Sequence, residues 1–208
     1  MAAAREWNVP LAGGDTAQSL GGIQADIVVV GSAPKGTAIA RSGARPGDAI
    51  YVTGSLGGSA AAIAQLRKGK LRAQDYQRHF HPTARIEVGR WLRRRQLASA
   101  IIDLSDGLST DLAHLCEESG VGAEIDAAAI PRARVGRGQE TVSTALALHG
   151  GEDYELLFTS RRKTPATIFG VSVTCIGRIR RGSEITLIEG QMRRDLVPRG
   201  WEHFRSRV

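Results

Sequence analysis

The sequence has few cysteines, few aromatic residues, little lysine and no long apolar run. Its two cysteines, Cys116 and Cys175, stand far apart and in no metal-ligand spacing. That excludes a disulfide framework and a thiolate zinc site, and it fits a reducing compartment with the thiols buried in the core. No stretch approaches the roughly 20 apolar residues a membrane span needs, and the opening MAAAREWNVP lacks the apolar core of a signal peptide. A cytoplasmic protein with no membrane partner is the expectation. Aromatic residues make up 5% of the chain, and only 4 of its 28 basic residues are lysine. The arginines are scattered, apart from Arg93-Arg94-Arg95 at the end of a predicted helix, where cations suit the helix dipole. Basic and aromatic residues do not interleave. The net charge of +7 therefore reads as suiting a phosphorylated small ligand rather than nucleic acid.

At 208 residues the chain holds one domain, or one and part of another. Its 25 glycines imply many tight turns. The most informative stretch is Ile101 to Leu112. Ile101, Ile102 and Leu104 supply a strand, Gly107 a turn, and Leu108, Leu112 and Leu115 the i, i+4, i+7 stripe of an amphipathic helix. Asp103 and Asp106 flank the strand end, with Ser105 between them and Asp111 one turn on. Carboxylates crowded at such a junction repel one another unless a cation sits there, and Mg2+ takes a few carboxylates while keeping waters and phosphates. The alternative is that Ser105 or Asp106 caps the helix.

Two other junctions pair glycine with acids: Gly13-Gly14-Asp15-Thr16, and Gly150-Gly151-Glu152-Asp153-Tyr154-Glu155 before the strand Leu156–Thr159. Strands are also predicted at Ala25–Gly31, Ala49–Thr53, Val121–Asp126, Val171–Gly177 and Ile185–Glu189, and helices at 60–66, 84–95 and 141–148. The turn Gly54–Ser59 lacks the Gly-Lys-Ser/Thr ending of a P-loop, so it reads as a plain strand-to-helix turn. His79 and His81 alternate as a metal pair would, but no third ligand is near in sequence, so solvated or capping histidines are expected. Trp201 and Phe204 lie in a basic tail, where aromatics pack down or stack on a ligand.

Together with RSGARPGD at 41–48, YVTGSLGGSAA at 51–61 and GWEHF at 200–204, these three junctions resemble the thiamine-monophosphate kinase family, within the aminoimidazole-ribonucleotide-synthetase-like superfamily. The resemblance implies an α/β (α+β) fold with a mostly antiparallel or mixed sheet and helices on one face. It also implies that residues 1–46 are the C-terminal part of the family's N-terminal ATP- and metal-binding domain, and 47–208 its C-terminal domain. The strands near Leu11 and Ala25 would then lack the sheet they join. The implied activity is Mg2+-dependent transfer of the ATP γ-phosphoryl to thiamine monophosphate, in a homodimer. By the same resemblance Gly14, Asp15, Arg41 and Ser105 contact ATP, Asp15, Asp103 and Asp106 bind the metal, and Glu152 and Trp201 hold the acceptor. An acid and an aromatic face both suit the cationic thiazolium. No nucleophile with a base beside it stands out, so direct transfer is expected. The alternatives are another ATP-dependent enzyme of the superfamily, of the aminoimidazole ribonucleotide or selenophosphate synthetase type, or a non-catalytic nucleotide-binding fragment.

Overall fold

The structure, a computed structural model, describes residues 2–201; Phe204 lies outside the described residues. The chain forms two compact units, Met1–Ala33 and Pro34–Val208. The first holds α1 (Ala2–Glu6), closed by Val9 N donating to the Ala4 carbonyl at 2.8 Å. The strand expected at Ala25–Gly31 does not form, and Ile27, Val28, Val29 and Val30 are 75% to 88% exposed. Alternation and β-branching make a segment competent for a sheet, but a strand exists only through a neighbour's ladder. Among the described residues, no strand pairs with this one.

The second unit carries β1 (Ala49–Thr53), α2 (Gly58–Arg67), α3 (Gln77–Phe80), α4 (Ile86–Arg94), β2 (Ala100–Asp103), α5 (Leu108–Ser119) and β3 (Gly122–Asp126). A small hairpin of β4 (Arg134–Val135) and β5 (Glu140–Thr141) precedes α6 (Thr144–His149). The chain then runs through β6 (Leu156–Ser160), β7 (Thr167–Ile168), β8 (Val171–Arg180), β9 (Ile185–Glu189) and β10 (Met192–Asp195). The main sheet has the order β10-β9-β3-β8-β1-β6-β2, with β7 added beside β8. Only β3 and β9 pair in parallel, so the sheet is mixed and mainly antiparallel. Among the described residues no helix is long and apolar enough to cross a membrane.

Alternation along the central strands sends residues to two cores. Ile50, Val52, Ile102 and Leu157 face the larger cluster with Leu108, Leu112 and Leu115 of α5, Ala61 of α2 and Leu148 of α6. Tyr51 and Phe158 face the other side, stacked at 5.3 Å and covered by Val88 and Leu92 of α4. The main helical layer thus lies on one face, as the resemblance implies, and among the described helices α4 packs on the other. Each fully buried leucine of α5 contributes about 1.5–3 kcal/mol. Cys116 joins the larger core, whereas Cys175 on β8 is exposed. The expectation of two buried thiols therefore fails for Cys175, which points out from the pleat.

One buried acid ties the sheet's end to the helices. Glu155, just ahead of β6, is fully buried. Its Oε2 accepts from Thr53 Oγ1 at 2.5 Å and Arg85 Nε at 2.7 Å, and its Oε1 from a second Arg85 nitrogen at 2.7 Å and from Arg78. Gly54 lies against this carboxylate with φ of 60°, where any Cβ would strike it. Burial pushes the Glu155 carboxyl up, but Arg85, Thr53 and Arg78 together hold it below its ordinary 4.5. A carboxyl lowered in the fold stabilises the protein above its unfolded value and loses that effect as pH falls through the lowered one. Glu155→Gln removes one partner of a buried charge network, so a loss of about 3–5 kcal/mol is expected in urea unfolding at pH 7. The variant should also lose part of the destabilisation expected of the wild type on acidification below pH 4.5.

Candidate active site

The site is assembled by backbone pairing that continues past the end of the sheet. β2 is an edge strand paired with β6, and the pairing extends into the turn after β2 and the loop before β6. Leu104 N donates to the Glu155 carbonyl at 2.8 Å, Tyr154 N to the Leu104 carbonyl at 2.9 Å, and Glu152 N to the Ser105 carbonyl at 2.8 Å. The Ser105-Asp106-Gly107 turn is thereby held against the Gly150–Glu155 loop. Two glycines permit the approach. A Cβ on Gly107, whose φ is 109°, would sit 3.0 Å from the Gly150 carbonyl oxygen, and one on Gly151 would strike the Ser105 carbonyl.

Neither Ser105 nor Asp106 caps α5. The cap position is Gly107, and it makes no side-chain cap bond. The capping acid is Asp111, whose Oδ2 accepts from Asp106 N at 3.1 Å and Gly107 N at 3.0 Å. Asp111 is buried. Burial first, then the nearby charges of Asp106 and Asp103, raise its carboxyl to about 7 despite the two amides. With the Asp106 and Gly107 amides taken by Asp111, Asp103 is left exposed and Asp106 half-buried at the turn. Among the described residues neither pairs with an arginine or lysine.

The second acid of the loop also has a local task. Asp153 accepts from Gly57 N at 2.6 Å and from Ser59 N at 3.3 Å, occupying the amides that open α2. Burial drives its carboxyl up to about 6. The glycine-rich turn is a strand-to-helix turn with its own acid in place. Glu152 and Tyr154 flank Asp153 in left-handed backbone, with φ of 67° and 50°. Such conformations cost about 1–3 kcal/mol each in non-glycine residues and gather at functional sites. The Tyr154 hydroxyl donates to Glu152 Oε2 at 3.1 Å.

The end of the described chain closes the group. Arg199 N donates to Ser109 Oγ at 3.4 Å, Gly200 N to Thr110 Oγ1 at 3.0 Å, and Trp201 N to the Asp106 carbonyl at 3.1 Å. Gly200 lies so close to that carbonyl that a Cβ would overlap it. Trp201 is 65% exposed at the mouth of the turn. Beside Glu152 and Asp153 opens a cleft of about 200 Å3, lined also by Ser59, Tyr76, Arg78 and His79. His79 Nδ1 lies 2.6 Å from Ser59 Oγ, which accounts for it without a metal. A second pair, Ser109 Oγ and His149 Nδ1, lies at 2.9 Å. Sequence spacing revealed neither Ser–His pair. Both serines are largely buried, Ser109 completely.

Of the residues matched by resemblance, Asp103, Ser105, Asp106, Glu152 and Trp201 thus gather around one turn. Arg41 lies elsewhere. Its carbonyl accepts from Ser119 Oγ at 3.1 Å, at the far end of α5, roughly 16 Å along the helix from Leu108. Gly14 and Asp15 belong to the first unit and are exposed, with Asp15 Oδ1 accepting from Thr16 N at 2.8 Å. Sequence reasoning overlooked Asp111 as the cap, although its spacing of four and five residues from Gly107 and Asp106 signals it. The donor set is carboxylates and a hydroxyl without thiolate, which suits a hard divalent cation. Asp106, Asp111 and His114 each offer a ligand atom, all within 4.8 Å of one another.

Residues 45–164 match the family model of the AIR synthase related protein, C-terminal domain, which is more than half of the chain. The thiamine-monophosphate kinase of Salmonella typhimurium is 39% identical over 95% of this chain and 64% of its own length. The crystal structure of thiamine-monophosphate kinase from Stenotrophomonas maltophilia superposes with a TM-score of 0.66 at 34% identity, over 74% of this chain and 54% of that one. The structure of AaThiL complexed with AMPPCP and TMP gives a TM-score of 0.64 at 34% identity, over 80% of this chain and 54% of that one. The chain spans somewhat under two thirds of the length of the curated relatives it matches. On the strength of the domain match, this chain belongs to the AIR synthase related protein family.

Proposed function

We propose that this chain is the acceptor-binding part, with a share of the Mg·ATP site, of a thiamine-monophosphate kinase. The observation that carries the reading is the convergence of Asp103, Ser105 and Asp106 with Glu152 and Trp201 on one turn. The relatives named thiamine-monophosphate kinase, and the AaThiL complex with AMPPCP and TMP, support it. Glu152 presents a carboxylate to a cationic thiazolium, and Trp201 presents a ring face to the same cation. Asp103 and Asp106 are the protein's metal ligands in this reading. Mg2+ bound there would neutralise charge on the phosphoryl oxygens. Ser105 contacts ATP in this reading, within a cytoplasmic homodimer, and Arg41, at the far end of α5, stands apart from this turn. The rest of the work is positioning, as phosphoryl transfer asks little covalent chemistry of the protein. The residue boundary proposed between the domains is 46/47.

The direct test is a coupled assay for thiamine diphosphate, run on this chain and on the chain joined to the N-terminal half of a relative. The chain alone should recognise thiamine monophosphate weakly and turn over little ATP. A deficit of about 5 kcal/mol in transition-state stabilisation slows a reaction several thousandfold. Comparable turnover in both would contradict the division of the metal site. Asp106→Asn should abolish Mg·ATP binding in calorimetry while moving Tm by no more than about 2 °C, since among the described residues its carboxylate forms no ion pair. A large fall in Tm would instead assign Asp106 a structural role. Gly200→Ala should weaken thiamine monophosphate binding at least tenfold by lifting Trp201 off the Asp106 carbonyl, with Mg·ATP binding disturbed less.

A further inference from the structure

Tyr154 has a role that neither packing nor the family resemblance supplies. It belongs to neither apolar cluster, and its side chain is 39% exposed. It nonetheless occupies left-handed backbone with φ of 50°, as Glu152 does with φ of 67°. A bulky residue at positive φ is an outlier that the surroundings must enforce. Here the enforcement is visible. Tyr154 N is bonded to the Leu104 carbonyl and Glu152 N to the Ser105 carbonyl, so the loop is fixed to the turn that carries Asp103 and Asp106. In that fixed frame the phenol oxygen comes within 3.1 Å of Glu152 Oε2.

We propose that Tyr154 is the positioning residue of the acceptor-binding acid, its hydroxyl holding the Glu152 carboxylate in the orientation that receives a cationic heterocycle. This rests on the assignment of Glu152 to the acceptor. A carboxylate on a flexible side chain must lose rotamer freedom to make a directed contact, and a donor already in place removes that cost from binding. The neighbouring Glu152 and Tyr154 amides are committed to the turn, and the hydrogen bond the Glu152 carboxylate accepts comes from the tyrosine hydroxyl. The hydroxyl stays protonated at neutral pH. Burial first, then Glu152, Asp103 and Asp106, raise its ionisation above that of an ordinary tyrosine.

The test is calorimetric titration with thiamine monophosphate of wild type, Tyr154→Phe, Glu152→Gln and the double variant, paired with a crystal structure of Tyr154→Phe. Phenylalanine keeps the ring and the backbone, so the effect isolates the hydroxyl. Tyr154→Phe should weaken binding about five- to tenfold, in keeping with one hydrogen bond to a charged group. The same change made on Glu152→Gln should alter affinity less than twofold, and in the crystal the Glu152 carboxylate should leave its place. Equal losses in both backgrounds would overturn the proposal, because the hydroxyl would then touch the ligand itself. Unchanged affinity in Tyr154→Phe would overturn it as well. If wild type binds no thiamine monophosphate, the kinase reading fails, and the crystal structure decides the positioning role alone: a Glu152 carboxylate unmoved in Tyr154→Phe refutes it.

Discussion

Glu155 is a buried acid that carries two arginines and a threonine on one carboxylate, and the ends of four elements depend on it. Its side chain joins Thr53 at the end of β1, Arg78 in α3 and Arg85 at the start of α4, while its own backbone carbonyl receives Leu104 N. Replacing such a network by apolar groups is often neutral for stability, whereas breaking it is costly. Its consequence here is register. A slip by one residue would reverse the faces of β6. It would also move Glu152 and Tyr154 away from the Ser105-Asp106 turn, since these residues lie only three and one positions before Glu155. The charge network on one side of the loop and the backbone bonds on the other therefore fix the same segment.

Around that anchor the loop and turn accept local costs that a purely structural design would avoid. Two non-glycine residues take left-handed backbone, and the carboxyls of the buried Asp111 and the half-buried Asp153 are raised to about 7 and about 6. A carboxyl raised in the fold binds protons more readily there than in the unfolded chain, so the stability it contributes is lost as pH rises from 3.8 through those values. Near neutral pH these acids oppose the fold that Glu155 supports. Both are placed where they hold a turn: Asp111 beneath Asp106, and Asp153 at the head of α2. Departures of this kind from local rules are concentrated at sites of function.

Much of the second unit was legible because its signals are local. The run AIYVT forms β1 and ITLIE forms β9 over the bounds that alternation and β-branching predict, and the leucine stripe of α5 is buried as its spacing requires. What was not legible depends on partners distant in the chain. Ala25–Gly31 has the composition of a strand but no ladder to join. The cap of α5 comes from Asp111 because Gly107 leaves two amides open to it, which a rule that looks for a cap before the helix overlooks. Of the candidate site, the acids and glycines could be picked out by pattern. That Trp201 meets Asp106 through its backbone, or that Glu155 serves arginines 70 and 77 residues away, follows only from the fold.

The central claim is that one turn, Ser105-Asp106-Gly107, is the meeting point of nucleotide, metal and acceptor. Amide chemical-shift mapping of this chain, with Mg2+ and a non-hydrolysable ATP analogue in one titration and thiamine monophosphate in another, tests it most directly. The account predicts that both titrations perturb the amides of 105–107, with the acceptor also shifting 152–154 and Trp201. Perturbations by the two ligands on separate surfaces, with residues 105–107 silent in either titration, would contradict it.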